Sequence, residues 1–207
     1  YSIRYNANGG TGAPASQTKT YGVPLTLSMI KPTRAGYEFL GWSTDPMTML
    51  TNYAPGERYT DEVSITLYAV WRYVPKTYTV SYDANGGGNT PASQTKTEDV
   101  TLTLTSTIPT RYGYTFKGWA TSSSATSADY QAGGRYTVNE SVTLYAVWEI
   151  NTYTVSFDAN GGTNAPNSQK KTHGQSLILT VAIPTRANHV FLGWAADSSA
   201  TSIAYAP

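Results

Sequence analysis

Asp83-Ala-Asn-Gly-Gly87 and Asp158-Ala-Asn-Gly-Gly162 carry a carboxylate, an amide and a glycine pair in the order that opens a calcium loop. A hard cation draws oxygen ligands from alternate residues and needs a glycine at the sharp turn. The later ligands and the closing Glu of such a loop are absent, and the matching stretch at Asn6 has an amide where the carboxylate belongs. A plain turn is therefore expected, with no metal. His173 and His189 are the two histidines of the chain, and there is no cysteine to join them in a metal site. Serine and threonine are abundant, but a nucleophile needs a base and an acid that orients it. Both histidines are expected at the surface or in loops, and no catalytic, cofactor-binding or metal-ligating residue is assigned.

Two further chemistries are written into recurring residues. Lys19, Lys96 and Lys171 return at a fixed offset with asparagines nearby in sequence, the partners of an intramolecular isopeptide bond, although no repeated Glu or Asp stands out to catalyse one. Trp42, Trp119 and Trp194, with Trp71 and Trp148, have the flat faces that stack on sugar rings. Their place inside strand-like stretches points to core packing instead. Asn139-Glu-Ser141 matches the N-glycosylation acceptor pattern, which is common by chance.

These residues sit in repeats. Tyr1-Ser-Ile-Arg-Tyr-Asn-Ala-Asn-Gly-Gly10 returns from Tyr78 to Gly87 and from Tyr153 to Gly162, and Trp42, Trp119 and Trp194 keep the same spacing. A fixed period is the signature of an array, here with units 1–77, 78–152 and 153–207. The first two close on Thr66-Leu-Tyr-Ala-Val-Trp71 and Thr143-Leu-Tyr-Ala-Val-Trp148. The third reaches Tyr205-Ala-Pro207, the counterpart of Tyr53-Ala-Pro55, so it is expected to lack its last strand. Losing a central strand exposes apolar surface, which predicts that this unit is unstable alone. The chain is expected to be a window from a longer array, with any export signal or anchor outside it. The linkers, 72–77 and 149–152, are too short for free tumbling and predict an elongated, fairly stiff array.

Within a unit, Tyr78-Thr-Val-Ser-Tyr82 alternates aromatic and β-branched residues with small polar ones, the period of a strand with one buried face. Asn85-Gly86-Gly87 turns the chain, since Asn and Gly tolerate positive φ. Val100, Leu102 and Leu104 predict a second alternating stretch. Gly113-Tyr-Thr-Phe-Lys-Gly-Trp119 reads as a strand whose glycines allow a bulge. Leu144-Tyr-Ala-Val-Trp148 is apolar on both faces and is expected to be central. The fold class is mainly β, α+β at most.

The opening Tyr-x-Val-x-Tyr/Phe-Asp-x-Asn-Gly-Gly, the middle Pro-Thr-Arg-x-Gly-Tyr-x-Phe-x-Gly-Trp and the closing Leu-Tyr-Ala-Val-Trp resemble the Listeria/Bacteroides repeat of listerial internalins and many bacterial surface proteins. The resemblance covers essentially the whole chain. It implies a β-grasp-like, ubiquitin-like unit used as a stalk or spacer in secreted and wall-attached proteins. The departure lies in the third unit, where Ala187-Asn-His-Val-Phe191 replaces the Gly-Tyr-x-Phe step and puts the local turn in question.

Charge and composition narrow the partners. Fourteen basic against 13 acidic side chains leave a net charge of +1, so no field of one sign attracts nucleic acid or anionic lipid. No apolar run approaches the roughly 20 residues that span a bilayer. The absence of cysteine fits an oxidising compartment. The expected role is a non-catalytic structural spacer, an adhesin stalk on an extracellular bacterial surface, without cofactor. The rivals are a segment of a self-assembling extracellular filament, and a module binding a glycan or host surface protein by avidity.

Overall fold

The computed structural model describes residues 1–206; Pro207, the last residue of the third predicted unit, lies outside the described residues. The chain divides into two compact units, Tyr1–Thr77 and Tyr78–Pro207. All regular structure among the described residues is β, with no helix, which settles the "α+β at most" expectation on the β side.

In the first unit β1 (Ser2–Asn6), β2 (Gln17–Thr18), β3 (Leu25–Thr26), β4 (Tyr37–Ser43), β5 (Arg58–Tyr59) and β6 (Ile65–Tyr73) follow in order. A four-stranded sheet runs β2-β1-β6-β4, and β3 pairs with β5 in a small second sheet. β1 and β6 are parallel, from Ile3 opposite Ile65 to Asn6 opposite Tyr68. β6 lies at the centre of this mixed sheet, with Leu67, Ala69 and Trp71 in the core and Val70 buried on the opposite face. β4 runs antiparallel to β6, with a bulge between Phe39 and Gly41. The core gathers Ile3, Leu27, Trp42, Tyr59, Leu67, Ala69 and Trp71.

The second unit repeats this plan with β7 (Thr77–Asp83), β8 (Gln94–Thr97), β9 (Leu102–Thr103), β10 (Tyr114–Ala120), β11 (Arg135–Tyr136) and β12 (Val142–Ile150). Its sheet order is β10-β12-β7-β8, with β7 parallel to β12 and the bulge now between Phe116 and Gly118. Val80, Tyr82, Leu104, Trp119, Tyr136, Leu144 and Ala146 form its core. The alternation expected from Val100 starts later than the sequence suggests. Asp99 takes φ +57° and the Val100 amide bonds back to the Thr97 carbonyl, so Val100 belongs to a turn and is exposed, whereas Leu104 is buried.

The third repeat, in the same compact unit, contributes β13 (Thr152–Val155) and β14 (Gln169–Thr172), paired antiparallel. Beyond them Thr163 bridges to Thr185 and Trp194 to Tyr205. Val155, Phe157, Leu177, Leu179, Phe191 and Trp194 line an open cleft of about 1210 Å³. The linker before this repeat is largely consumed by strand: β12 ends at Ile150 and β13 begins at Thr152. The residue between them, Asn151, donates its amide to the Gly113 carbonyl at 2.9 Å, and its own carbonyl accepts from the His173 amide at 2.9 Å.

Candidate functional site

The recurring polar residues converge on one place in each repeat, the turn after the first strand. Asn6 Oδ1, Asp83 Oδ1 and Asp158 Oδ1 each accept the amide of the residue two further on, closing an Asx turn. The Asp that opened a calcium loop in the sequence is thus engaged by its own backbone. The following asparagines, Asn8, Asn85 and Asn160, sit at positive φ of 46° to 48°. Asn8 donates through Nδ2 to the carbonyls of Pro46 and Ala69, both at 3.0 Å. Asn85 does the same to Ser123 at 2.9 Å and Ala146 at 3.0 Å. One amide therefore fastens the turn both to the closing strand and to the loop after the bulged strand.

The second glycine of the pair has a steric reason. A Cβ on Gly87 would stand 2.7 Å from both the Thr110 carbonyl oxygen and the Trp148 ring, and one on Gly10 would stand 2.6 Å from the Thr33 oxygen and the Trp71 ring. That close approach lets the closing tryptophans reach back: Trp71 Nε1 donates to the Ala7 carbonyl and Trp148 Nε1 to the Ala84 carbonyl, both at 2.9 Å. The middle motif joins through its arginine. Arg34 and Arg111 lie 3.9 Å over the rings of Tyr37 and Tyr114, and Arg186 Nη1 donates to the Asn160 carbonyl at 3.2 Å.

A second recurring cluster was missed as a structural site. Lys19 and Lys96 are buried on the edge side of the sheet, at 2% and 0% exposure. A buried ammonium must be met by acceptors. Lys19 Nζ donates to Glu62 Oε1 at 2.8 Å, and the same oxygen accepts the Gly22 amide at 2.9 Å. These two hydrogen bonds hold the Glu62 carboxyl below the ordinary carboxylate range. In the second repeat the acceptors are the Thr97 carbonyl and Asn139 Oδ1, both at 2.8 Å. Asn139 in turn donates through Nδ2 to Asp99 Oδ1 at 2.8 Å. The signal was the constant offset of Lys19 and Lys96; which partner each meets depends on a loop some 43 residues away.

The opening and middle motifs recur in all three stretches, residues 1–70, 78–147 and 153–207, that match the family described as the Listeria-Bacteroides repeat domain. The chain belongs to this repeat family. Its Listeria-Bacteroides repeats are also 34% identical over 198 residues to a protein named "Putative membrane protein" of Evansella cellulosilytica, covering 95% of this chain and 28% of the relative. A "Putative Gly-rich membrane protein" of the same organism is 34% identical over 202 residues, covering 97% and 22%. Internalin H of Listeria monocytogenes is 31% identical over 154 residues, covering 70% and 26%. The chain thus spans about a quarter of the length of these relatives.

The structure sorts the remaining sequence candidates of the Listeria-Bacteroides repeats. Trp42 and Trp119 are fully buried and Trp71 and Trp194 nearly so, as core packing predicts. Tyr5 and Phe39 meet the Trp42 ring edge-on, at 4.8 and 5.0 Å. His173 rests beside the rings of Tyr112, Tyr114 and Tyr153, while His189 Nδ1 faces the Ala187 carbonyl at 2.8 Å. Among the described residues no group of three or more His, Cys, Asp or Glu could hold a metal ion, and no helix is long and apolar enough to cross a membrane. The turn in question at Ala187–Phe191 keeps the family geometry. Asn188 takes φ +59° where Gly36 and Gly113 take +77° and +78°, and the His189 amide returns to the Arg186 carbonyl as those of Tyr37 and Tyr114 do to Arg34 and Arg111. Asparagine is the residue besides glycine that tolerates this conformation best.

Proposed function

We propose that the chain is a non-catalytic spacer from a bacterial cell-surface protein, an adhesin stalk built of units 1–77, 78–152 and 153–207. The observation that carries this reading is the use to which the repeated polar residues are put: Asn8, Asn85, Arg34, Arg111, Trp71 and Trp148 all bind their own repeat. The recurring residues named here hold a unit together, whereas several exposed positions vary. Tyr112 is 91% exposed, yet its counterparts are Ala35 and Ala187. A glycan-binding array acting by avidity needs the same face on every unit, so the spacer reading is preferred. The β-grasp-like assignment is supported by a mixed sheet whose first and last strands lie parallel at its centre, in both repeats. A cell-surface location is supported by the family membership, and two of the relatives are named putative membrane proteins.

The test is small-angle scattering with light scattering over a concentration series, on a chain whose third repeat is extended by a closing Leu-Tyr-Ala-Val-Trp segment. The expected outcome is an elongated monomer at every concentration. Mass that grows with concentration points to a self-assembling filament and rejects the passive spacer.

A further inference from the structure

We infer that the second repeat carries an intramolecular covalent staple, an isopeptide bond between Lys96 and Asn139. Lys96 is a buried primary amine, and its Nζ stands 2.8 Å from the side-chain carbonyl oxygen of Asn139. The electrophilic carbon is the next atom beyond that oxygen. The Asn139 nitrogen that would leave already donates to Asp99 Oδ1 at 2.8 Å. Amine, carboxamide and carboxylate are thus lined up by the fold itself, and the carboxylate missing from the sequence reading is supplied by the turn after β8. Proximity of this kind converts a sluggish bimolecular aminolysis into a unimolecular one.

The step balances without any co-reactant. The free-amine form of Lys96 attacks Asn139 Cγ, the new Nζ–Cγ bond forms, and the Cγ–Nδ2 bond breaks. The proton lost from Nζ ends on Nδ2, relayed by the Asp99 carboxyl group, and ammonia departs. Asn139 lies at the surface, so the ammonia leaves into water. The bond would tie edge strand β8 to the loop before β12.

The first repeat is a built-in control. Lys19 occupies the same position, but its partner is the Glu62 carboxylate, which is an ion-pair partner and not an acyl donor without activation. Of these two repeats, the first is ion-paired at this position and the second is stapled.

The experiment is intact-mass measurement of the full chain followed by tryptic mapping. The expected result is a mass below that of the sequence by one ammonia, with a branched peptide joining Lys96 to Asn139 and no cleavage after Lys96. Asn139→Glu reproduces the partner found in the first repeat, keeps the hydrogen bond to Lys96, and is expected to restore the full sequence mass in a folded chain. Asp99→Ala is expected to lower the stapled fraction while the circular dichroism of the sheet stays unchanged. A full-mass chain cut normally after Lys96 overturns the proposal. So does an ammonia loss that maps to the Asn8-Gly9, Asn85-Gly86 or Asn160-Gly161 steps as a cyclic imide. An Asp99→Ala chain stapled as completely as the parent overturns the proton route.

Discussion

The residues that recur are those whose neighbours leave no room for substitution. Gly87 is the sharpest case, because a methyl group there would meet the Thr110 carbonyl and the Trp148 ring inside van der Waals contact. Both are held, the tryptophan by its bond to Ala84. Gly87→Ala is therefore expected to destabilise the second repeat by about 1–3 kcal/mol, the range for overpacking, as read by denaturant unfolding of the full chain. Retention of parent stability would show that the ring can move aside. Glu62 gives a pH-dependent counterpart. Its folded carboxyl titrates below the ordinary value because Lys19 and the Gly22 amide bind the charged form. Its stabilisation is then complete above the ordinary carboxylate range and lost as the pH falls through the lower, folded value. Glu62→Gln is expected to flatten the acid limb of stability of the first repeat. The second repeat, with Asn139 at that place, has no such limb from this pair. An unchanged acid limb in the variant would assign the pH dependence to other carboxylates.

Strands and junctions follow from the same residues, though not with equal legibility. The central strands could be read directly, since a run such as Leu144-Tyr-Ala-Val-Trp148 is apolar on both faces. The bulged strand was equally plain from Gly118, where a Cβ would lie 2.6 Å from the Tyr130 carbonyl oxygen. The short strands were not. Val100 looks like part of an alternating strand, but the turn made by Asp99 at positive φ overrides the pattern. The lysine cluster was half legible: periodicity marks Lys19 and Lys96, while their burial and partners depend on loops that alternation cannot position. The junction between the second and third repeats was read from length alone and proves to be hydrogen-bonded. The Asn151 amide is held by Gly113, the His173 amide by Asn151, and Thr115 Oγ1 donates to Asn151 Oδ1 at 2.7 Å. Amide hydrogen exchange at Asn151 and His173 is expected to be slowed to the level of neighbouring strand amides. Exchange at the rate of an open linker would show that the junction frays.

Across the whole molecule the chemistry is inward-looking. Fourteen positive and 13 negative groups nearly cancel, which fits the proposed spacer role. The repeats differ instead in exposed loops. Met47, Met49 and Leu50 are exposed in the first repeat, at 71% or more, where the second carries Ser124, Thr126 and Ser127. Within the interlock the changes keep the geometry, as where Asn6 stands for Asp83 in the Asx turn and Asn188 for Gly113 at positive φ. The parallel pairing of the first and last strands has a mechanical consequence. Because β1 and β6 point the same way, as do β7 and β12, the chain enters a repeat at one end of that pair and leaves it at the other. Tension applied through the two ends drags the strands past each other in shear and loads their evenly spaced hydrogen bonds together. An antiparallel pair of terminal strands would instead be unzipped one bond at a time. Resistance to pulling is thus a property of strand direction, present in the first and second repeats before any ligand or neighbour is considered.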